Sequence, residues 1–490
     1  MARVVNAVTV DGTQISFDVV NGKFRHVKLQ ARDKVLPQTE ASTRASAERS
    51  SDLDLGAGAD FNQSAVAGAI IDAGGATILP AGVDVHVHSR DPGLTHKETW
   101  QTLVAGAWRG GVAAVADMPN TLPPTLTRAT VLDKAKLAMA AGLDAKFLLG
   151  VGAGNIGEVA ALLTDAELPI CALKVFYGRT TGELVYDDLE ALARALPDHL
   201  TKPIVFHSED QCTIDCNHTR LIGQTVSRAN SAFAVHSEIR SSAAAHLSTR
   251  TILDWARKSY RRPVHIAHVS TPVEVEMIAE ARAGGASVTC EVAPHHLLMS
   301  TDDYERLGPL VKMNPPLRSK AEMEALGRLV ALGAVDVYAT DHAPHLLAEK
   351  QTDVEHAPSG VPSLEFFYPL LFAVSRRIGL ELTKAIAMAS ARPAQLFGFK
   401  AKGQIADGFD ADFVWLSEAG SRVANQSVLS KCGWSPYDGM DLPRDVLATW
   451  VRGRRVYAKA KCDDISNVIN RKTTADRVDA DRFVAGRVTK

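Results

Sequence analysis

Two histidines stand one residue apart near the end of an apolar segment, in the sequence Asp84-Val-His-Val-His88, and Arg90 follows them. The apolar run predicts a buried strand, and alternate side chains of a strand project to one face, so His86 and His88 share a face. Two imidazoles on one face can bind a divalent metal, and a guanidinium just beyond them can pair with a carboxylate. The motif alone fits two ordinary buried histidines equally well, so its meaning depends on the rest of the chain.

Strand and helix patterns alternate through the middle of the chain, which contains eight candidate strands. Most of these strands are continuous apolar runs, as expected of parallel strands buried on both faces. Eight alternating strands and helices predict an α/β fold, the (β/α)8 TIM barrel. The predicted strands are Ile78–His88, Val112–Met118, Lys146–Gly152, Ile170–Phe176, Pro203–His207, Val264–His268, Ser287–Val292 and Asp336–Thr340. The predicted helices include Arg128–Ala141, Leu184–Leu196, Pro272–Ala283, Ala321–Leu332 and Leu382–Leu396. The interval from Ser208 to Ser248 is longer than an ordinary connection and predicts an extra helix or a large loop.

Polar side chains follow these strands at the end where TIM barrels place their active sites. They are His86, His88 and Arg90, then Asn120, Lys174, His207 and His268, then Glu291 with His295 and His296, and finally Asp341 with His342 and His345. Any one of them has a structural explanation, such as a lysine that reaches solvent or a histidine that caps a loop. Seven polar strand ends in one barrel favour a functional site instead. Four histidines, one carboxylate and one buried lysine suit a site for two metal ions.

Lys174 is the unusual member of this group, because an amine is a poor neighbour for two divalent ions. Burial should lower its pKa, and the neutral amine can take up carbon dioxide as a carbamate. The modified Lys174 would then bridge two Zn²⁺ together with a hydroxide. The carbamate, Asp341 and hydroxide would leave roughly one net positive charge, enough to hold hydroxide at neutral pH and polarise a carbonyl.

The two ends of the chain predict a second domain. Short alternating strands occur before residue 80 and again after residue 400, so we expect one small β-sandwich domain from residues 1–80 and 399–460. The barrel would then span residues 81–398. A polar insertion at about residues 38–66 and a polar tail at 461–490 have no apolar pattern of their own.

The composition of the 490 residues is that of an ordinary globular protein, with 46% hydrophobic and 22% charged residues. The formal net charge of −2 gives no reason to expect a nucleic acid or an anionic membrane as partner. No apolar run reaches the length of about 18 residues that a spanning helix needs, and the first residues lack the apolar core of a signal peptide, so we expect a cytoplasmic location. Six cysteines do not form a disulfide framework. Cys212 and Cys216, near His218, lack a fourth ligand for a structural zinc site.

Several of these segments resemble the motifs of dihydroorotases in the amidohydrolase superfamily. The first is Asp84-Val-His-Val-His-Ser-Arg-Asp-Pro-Gly-Leu-Thr-His-Lys-Glu98. Further matching blocks are Asp117-Met-Pro-Asn-Thr121, Lys174-Val-Phe-Tyr-Gly178, His207-Ser-Glu-Asp210, His268-Val-Ser270, Cys290-Glu-Val-Ala-Pro-His-His-Leu297, Met313-Asn-Pro-Pro-Leu-Arg318, Ala339-Thr-Asp-His-Ala-Pro-His345, Ser435-Pro-Tyr-Asp-Gly439 and Arg452-Gly453. The resemblance covers about residues 70 to 458, and its later blocks are specific to dihydroorotases.

The resemblance implies a role for each matching residue. The first zinc ion would be held by His86, His88, Asp341 and carboxylated Lys174, and the second by Lys174, His207 and His268. Arg90, Asn120 and His345 would bind the substrate α-carboxylate, Asn314 would contact the pyrimidine ring, and Asp341 would transfer the proton. Thr180 and Thr181 would lie on a mobile loop that closes over the substrate, and Glu291 and His295 would support the ligands.

The implied reaction is the reversible cyclisation of N-carbamoyl-L-aspartate to L-dihydroorotate in pyrimidine biosynthesis. Members of the family form homo-oligomers, and some associate with aspartate transcarbamoylase, so both are expectations here. Hydantoinase (dihydropyrimidinase) and allantoinase share the barrel and the metal site and are the enzymatic alternatives. Arg90 argues against the first, since an uncharged ring gives a guanidinium no partner, and the Asn314-Pro-Pro-Leu-Arg block argues against the second. A catalytically silent structural paralogue is a further alternative.

Three features depart from the family pattern, and none removes a ligand. They are the loop Gly178-Arg-Thr-Thr-Gly-Glu183, Ser363 at a position where glycine is usual, and the insertion at residues 38–66. They affect expectations about loop movement and surface contacts rather than about the chemistry.

Overall fold

The computed structural model describes residues 2–30, 69–73, 75–179, 184–221, 230–258 and 262–459. The predictions for the insertion at 38–66, for Thr180 and Thr181, and for the tail at 461–490 lie outside these residues. The strands are β1 Ala2–Val8, β2 Gln14–Val20, β3 Lys23–Gln30, β4 Ala69–Asp72, β5 Ile78–Pro80, β6 Gly82–Val87, β7 Val112–Asp117, β8 Asp144–Gly150, β9 Ile170–Tyr177, β10 Ile204–Ser208, β11 Val264–Ile266, β12 Val288–Val292, β13 Val337–Tyr338, β14 Phe413–Ser417, β15 Ser421–Arg422, β16 Asp441–Leu442, β17 Asp445–Val451 and β18 Arg454–Ala458. The helices are α1 Trp100–Gly110, α2 Arg128–Ala141, α3 Val159–Thr164, α4 Leu189–Ala195, α5 Gln211–Leu221, α6 Val235–Ile239, α7 Ser242–Lys258, α8 Pro272–Ala283, α9 His295–Leu298, α10 Asp303–Leu307, α11 Lys320–Ala331, α12 Leu347–Lys350, α13 Phe367–Ile378, α14 Leu382–Ala389 and α15 Ala391–Leu396.

Eight parallel strands, β6 to β13, pair in chain order and form the barrel. The barrel closes where Val87 at the end of β6 pairs with His342 beyond β13, and the backbone N–H of His88 donates to the His342 carbonyl at 2.8 Å. Two apolar cores follow from the alternation of side chains. On β8, Leu148 belongs to a core of strand residues, while its neighbours Phe147 and Leu149 belong to the larger core shared with the helices. The predicted TIM barrel is confirmed.

The helices begin and end where the sequence supplies caps. Thr99, Thr127 and Thr271 each accept a hydrogen bond at the start of α1, α2 and α8, in capping boxes with residues three positions later. Helix α1 ends at Gly111, whose φ of 83° is a left-handed conformation that glycine adopts without strain. These caps set where each helix returns the chain to the next strand of the barrel.

Three predicted elements differ from the structure. The predicted strand Ile78–His88 is two strands, because β5 pairs with β14 outside the barrel while β6 pairs with β7 inside it. The predicted helix Leu382–Leu396 is interrupted at Ser390, whose φ of −138° and ψ of −80° separate α14 from α15. The predicted helix Leu184–Leu196 begins later, at Leu189, where the Asp188 side chain accepts a hydrogen bond from the Ala191 N–H.

The long interval between β10 and β11 contains helices, as its length predicted. It holds α5, a 3₁₀ helix at Asn230–Ala234, the short α6 and the 17-residue α7. Arg240, which belongs to this interval, contacts Glu209 beside the site, as described below.

Strands from both ends of the chain form two four-stranded sheets, ordered β3-β2-β1-β4 and β18-β17-β14-β5. An apolar core lies between them, in which the rings of Phe17 and Phe24 are 4.9 Å apart and those of Phe413 and Trp450 are stacked at 4.6 Å. Lys402 is buried at the junction with the barrel and pairs with Asp412 at 2.7 Å and with Asp144 of β8. The domain boundaries at residues 80, 398 and 460 stay a prediction. Within the described part of the chain, no helix has both the length and the apolar character needed to cross a membrane.

Candidate metal and substrate site

His86, His88 and Asp341 meet at the carboxyl end of the barrel, where β6 and β13 lie side by side. The Asp341 Oδ1 atom is 3.3 Å from His86 Nε2 and 3.2 Å from His88 Nε2, and all three side chains are buried. In the described ranges this is the only group of three histidine, cysteine or acidic side chains close enough to hold one metal ion. Cys212 and Cys216 are exposed on α5 and belong to no such group.

Asp84 fixes the two strand ends that carry these candidate ligands. Its fully buried carboxylate accepts hydrogen bonds from the backbone N–H of His86 at 3.2 Å, from the N–H of Thr340 at 3.1 Å and from the Thr340 hydroxyl. Burial raises the pKa of Asp84 to about 7. The residue therefore ties β6 to the segment that carries Asp341.

Lys174 on β9, His207 on β10 and His268 just after β11 line the same cavity. His207 Nδ1 lies 3.1 Å from His268 Nε2. The Lys174 Nζ atom is 5.1 Å from the centre of the Phe176 ring, and neither it nor His268 Nδ1 has a hydrogen-bond partner in the described structure. Burial lowers the pKa of Lys174 to about 8. A buried amine and a buried imidazole without partners, beside further imidazoles, are donors that fit a metal site.

The imidazoles of this site are oriented by neighbouring oxygen atoms. Glu291 accepts from His86 Nδ1, and the Asn120 Oδ1 atom lies 2.7 Å from His88 Nδ1, so both histidines carry that proton and turn Nε2 toward Asp341. Glu209 lies 2.9 Å from His207 Nε2, which leaves the Nδ1 atom of His207 toward the cavity. Such partners fix the tautomer of a ligand histidine.

Two of these supporting contacts were not anticipated from the sequence. Glu209 is paired with the buried Arg240, which directly follows α6 in the interval after β10. Glu291 also lies 3.1 Å from His265 Nε2, and it accepts the backbone N–H of His268 at 3.3 Å. The spacing of His207 and Glu209 along one strand end was the only available signal, since the other partners are distant in sequence.

The structure gives Glu291 and His295 different surroundings. Glu291 contacts the ligand His86, whereas the ring of His295 packs on His296 at 4.4 Å and its two nitrogens have no hydrogen-bond partner among the described residues. Two other polar residues that follow the strands form hydrogen bonds with backbone atoms. His296 donates to the Pro315 carbonyl at 3.0 Å, and His342 accepts the Ser363 N–H at 3.1 Å. The role of His295 stays a prediction.

Electrostatics favour an ionised carboxylate at Asp341. Burial acts to raise its pKa, but the neighbouring charge of His86 and the hydrogen bond to His88 hold the pKa well below its ordinary value. Burial lowers the pKa of His88 to about 4. The site therefore presents a neutral imidazole at His88 and an ionised carboxylate at Asp341, which are the protonation states that metal ligands need.

Arg90 lines the same cavity. Its guanidinium is buried, donates to the Pro344 carbonyl at 3.1 Å and has Nη2 3.1 Å from His345 Nε2. Burial lowers its pKa to about 10, so it remains a cation at neutral pH. Its position beyond His88 is the one that the strand pattern predicted, but its backbone φ of 62° could not be anticipated.

The space between the atoms that line this cavity, including the part open to solvent, is about 380 Å³. Its lining residues are His86, His88, Arg90, Asn120, Lys174, Phe176, His207, His268, Asn314, Asp341, Ala343, Ser359 and Gly360. His345 is not among them, because it lies buried behind Arg90 with Nδ1 3.0 Å from Lys97 Nζ. Gly360 was missed from the sequence, and a Cβ atom there would lie 2.6 Å from the Ala343 carbonyl oxygen, which explains why this wall needs glycine.

Comparisons with known proteins agree with this arrangement. Residues 77–456 match the model of the amidohydrolase family. The chain is 37% identical to a dihydroorotase of Methanosarcina acetivorans over 78% of its own length and 82% of that protein. It is 38% identical to a dihydroorotase of Halobacterium salinarum over 74% of its length and 82% of that protein. Among solved structures, the L-hydantoinase (dihydropyrimidinase) from Arthrobacter aurescens superimposes with a TM-score of 0.79 at 26% identity, over 94% of this chain and 96% of that one. These relationships establish that the chain belongs to the amidohydrolase family and, within it, to the dihydroorotases.

Proposed function

We propose that the protein uses two zinc ions to interconvert N-carbamoyl-L-aspartate and L-dihydroorotate. The observation that carries the proposal is one cavity lined by two unlike groups of side chains. One group combines four imidazoles with Lys174 and Asp341, and the other is the buried guanidinium of Arg90. A cyclic amide that bears a carboxylate matches both groups.

The donor set supports two metal positions. His86, His88 and Asp341 would hold one ion, and His207 and His268 the other, with Lys174 between them. The neutral amine of Lys174 can add to carbon dioxide with loss of a proton, which gives a carbamate with two oxygen donors. When bound, zinc would supply an activated water and would polarise the amide carbonyl.

Asp341 is the group that moves the proton. In ring opening it takes a proton from the attacking water and delivers it to the ring nitrogen that leaves the broken amide bond. In ring closure it takes the proton from the attacking ureido nitrogen and delivers it to the departing oxygen, which leaves as hydroxide and takes a second proton from solvent to become water. Its closeness to His86 and His88 supports this role, since ionised Asp341 begins ring opening as the base.

Arg90 and Asn120 would bind the substrate carboxylate, and His345 would hold the guanidinium from behind. A buried guanidinium without a substrate anion is costly, so an anion that pairs with it gains a strong, charge-assisted contact. An uncharged ring, as in a hydantoinase substrate, offers Arg90 no such partner. This favours dihydroorotate over the substrates of the structurally similar hydantoinases.

Purified protein tests the proposal through metal analysis and turnover. We expect about two zinc ions per chain and hydrolysis of L-dihydroorotate with at least a hundredfold higher kcat/KM than of hydantoin, dihydrouracil or allantoin. Faster turnover of one of the uncharged rings would assign the protein to that activity. Metal-free protein without turnover of any ring would identify a structural paralogue.

The cellular setting belongs to the same proposal. A dihydroorotase would act in pyrimidine biosynthesis in the cytoplasm, as a homo-oligomer that associates with aspartate transcarbamoylase. The names of the curated relatives support the activity, and the oligomer and the association rest on the resemblance of the sequence motifs. Size-exclusion chromatography of a cell extract tests the association, because the two activities should elute together, and separate elution would contradict it.

A further inference from the structure

Arg240 is a buried arginine that directly follows α6, within the long interval between β10 and β11, and no step of the proposed reaction uses it. Its guanidinium donates through Nη1 to Glu209 Oε2 and through Nη2 to the backbone carbonyl oxygen of Arg179. The two acceptors lie just beyond neighbouring strands, since Arg179 follows β9 and Glu209 follows β10. One side chain from a separate segment therefore joins two strand ends of the barrel.

These two strands carry Lys174 and His207, which belong to the second metal position of the proposed function. Glu209 Oε2 lies 2.9 Å from His207 Nε2, so His207 and Arg240 contact the same carboxylate oxygen. An ionised carboxylate only accepts hydrogen bonds, so the Nε2 atom of His207 carries the hydrogen and its Nδ1 atom is left for a metal ion. The position of Glu209 thus decides how the ring of His207 is held.

The guanidinium of Arg240 is itself held in place. The backbone N–H of Arg240 donates to the His236 carbonyl at 3.0 Å, and its backbone carbonyl accepts from Arg318 Nη1 at 2.5 Å. A guanidinium is planar, and its N–H groups have a fixed geometry. Arg240 therefore fixes the Glu209 carboxylate relative to the backbone at Arg179, beyond the last residues of β9 and β10.

We infer that Arg240 is a positioning residue for the second metal ion alone, and that it acts by holding Glu209 against His207. The inference rests on the two metal positions of the proposed function. The first position has other supports, because Asp84, Asn120 and Glu291 contact the segments and side chains that form it. Loss of Arg240 should therefore weaken the binding of one zinc ion and spare the other.

Zinc titration of the full-length protein against a competing chelator tests this selectivity, because it measures the affinity for each of the two ions. In Arg240→Met the affinity for one ion should fall about tenfold, the lower end of the range for losing a contact that supports a ligand histidine. The affinity for the other ion should change less than about twofold. Arg257→Met is the matched control, at an exposed arginine of α7 that pairs with Asp254 at 3.1 Å, and should leave both affinities unchanged.

Two further variants identify which position is affected. His268→Ala removes a donor of the second position, and His86→Ala removes a donor of the first. Added to His268→Ala, the Arg240→Met substitution should not change the affinity for the ion that remains. Added to His86→Ala, it should weaken the remaining ion about tenfold. The opposite pattern would place the effect of Arg240 at the first position and overturn the inference.

A double variant tests whether Arg240 acts through Glu209. Removal of Arg240 alone leaves the buried Glu209 carboxylate without its cation, which destabilises the fold. Glu209→Gln combined with Arg240→Met removes both charges, so the comparison stands even where the single Arg240 variant does not fold. Glu209→Gln should weaken the same ion as Arg240→Met, and the double variant should bind this ion within about twofold of Glu209→Gln. A further tenfold loss in the double variant would mean that Arg240 acts by another route, and the inference would be wrong.

The remaining outcomes separate this inference from the proposed function. If Arg240→Met weakens both ions by the same factor, or neither of them, Arg240 has a structural role only and the inference is wrong. Because the test reads metal binding, two bound zinc ions without turnover of dihydroorotate would refute the proposed reaction and leave the inference in force. If the unaltered protein binds fewer than two zinc ions, the two-metal proposal fails, and this inference fails with it.

Discussion

The carboxamide of Asn120 is bound to the ring of His88, with 2.7 Å between Asn120 Oδ1 and His88 Nδ1. The sequence assigned Asn120 to the substrate carboxylate and His88 to a metal ion, as two separate tasks. Since the carboxamide oxygen faces His88, a contact with the substrate carboxylate would have to come from the carboxamide nitrogen. The Asn120 side chain therefore links the candidate metal ligand His88 to the proposed binding site of the substrate carboxylate.

We predict that Asn120→Leu weakens both metal and substrate binding. Loss of the contact with His88 should lower zinc affinity about ten- to a hundredfold, the usual effect of removing the partner of a ligand histidine. Zinc titration against a competing chelator measures this, and KM for dihydroorotate at saturating zinc measures the substrate effect. Unaltered zinc affinity would show that the contact with His88 has no energetic role.

Lys174→Ala should lose one or both metal ions and most of the activity, because it removes the proposed bridge between the two metal positions. Short carboxylic acids added to the assay should restore part of the activity by supplying oxygen donors in the space of the side chain. Lys136→Ala, at an exposed lysine of α2, is the matched control. Two bound zinc ions and normal turnover in Lys174→Ala would disprove the carbamate.

Arg90→Met should reduce kcat/KM for dihydroorotate at least about a hundredfold while zinc content stays unchanged. This factor corresponds to the loss of a charge-assisted contact of roughly 3 kcal/mol. Arg90→Lys should recover little of it, since an ammonium lacks the planar fork of the guanidinium. Arg128→Met provides the control, at an exposed arginine paired with Glu167 at 2.8 Å. Unchanged kinetics in Arg90→Met would remove Arg90 from the substrate site.

Thr180 and Thr181 lie outside the described residues, so the prediction that their loop closes over the substrate rests on the sequence. The preceding residue, Arg179, is held at its backbone N–H by Gln211 at 2.7 Å. Thr180→Ala should lower kcat with both metal ions still bound, because the lost contact is made only in the closed state. Normal kinetics in both Thr180→Ala and Thr181→Ala would reduce the loop to a connection.

Glu365 should make the protein less stable as the pH rises. Its carboxylate is buried and accepts the backbone N–H of Leu429 at 2.6 Å. Burial raises its pKa to about 7, and the nearby Arg109 offsets only part of this rise. A carboxyl group whose pKa is higher in the folded state adds stability below its ordinary pKa, and this stability is lost as the pH rises to about 7.

Glu365→Gln should remove this pH dependence. Between pH 5 and pH 8 the melting temperature of the unaltered protein should fall more than that of the variant. Glu167→Gln, at an exposed carboxylate, should behave as the unaltered protein does. Parallel curves for Glu365→Gln and the unaltered protein would contradict the prediction.

Local patterns in the sequence were sufficient to predict the barrel strands and the candidate site residues at the ends of these strands. Apolar runs located all eight barrel strands, and alternation placed His86 and His88 on one face. The fold then brought Lys174, His207, His268 and Asp341 to the same end, as the barrel requires.

Features that depend on contacts between distant segments were not predictable. The support of His207 by Glu209 and Arg240 needs the helix α6, whose path the sequence left open. Arg90, His268 and Asp341 have positive φ angles of 62°, 35° and 47°, a conformation that such residues rarely adopt and that the surrounding fold must impose. The break between β5, which ends at Pro80, and β6 was missed because the apolar run continues from one strand into the other. The two strands nevertheless belong to different sheets.

That break affects the order in which a newly made chain can fold. Strand β5 pairs with β14, more than 300 residues later, and only Ala81 separates β5 from the barrel strand that leads to His86. During synthesis, the sheet β18-β17-β14-β5 lacks three of its strands until the last part of the barrel has left the ribosome. Non-local pairings of this kind form slowly. The pairing of β5 with β14, which holds the start of the barrel strand β6 in place, therefore forms late. In a chain that ends before β14, the strand that carries His86 lacks this support.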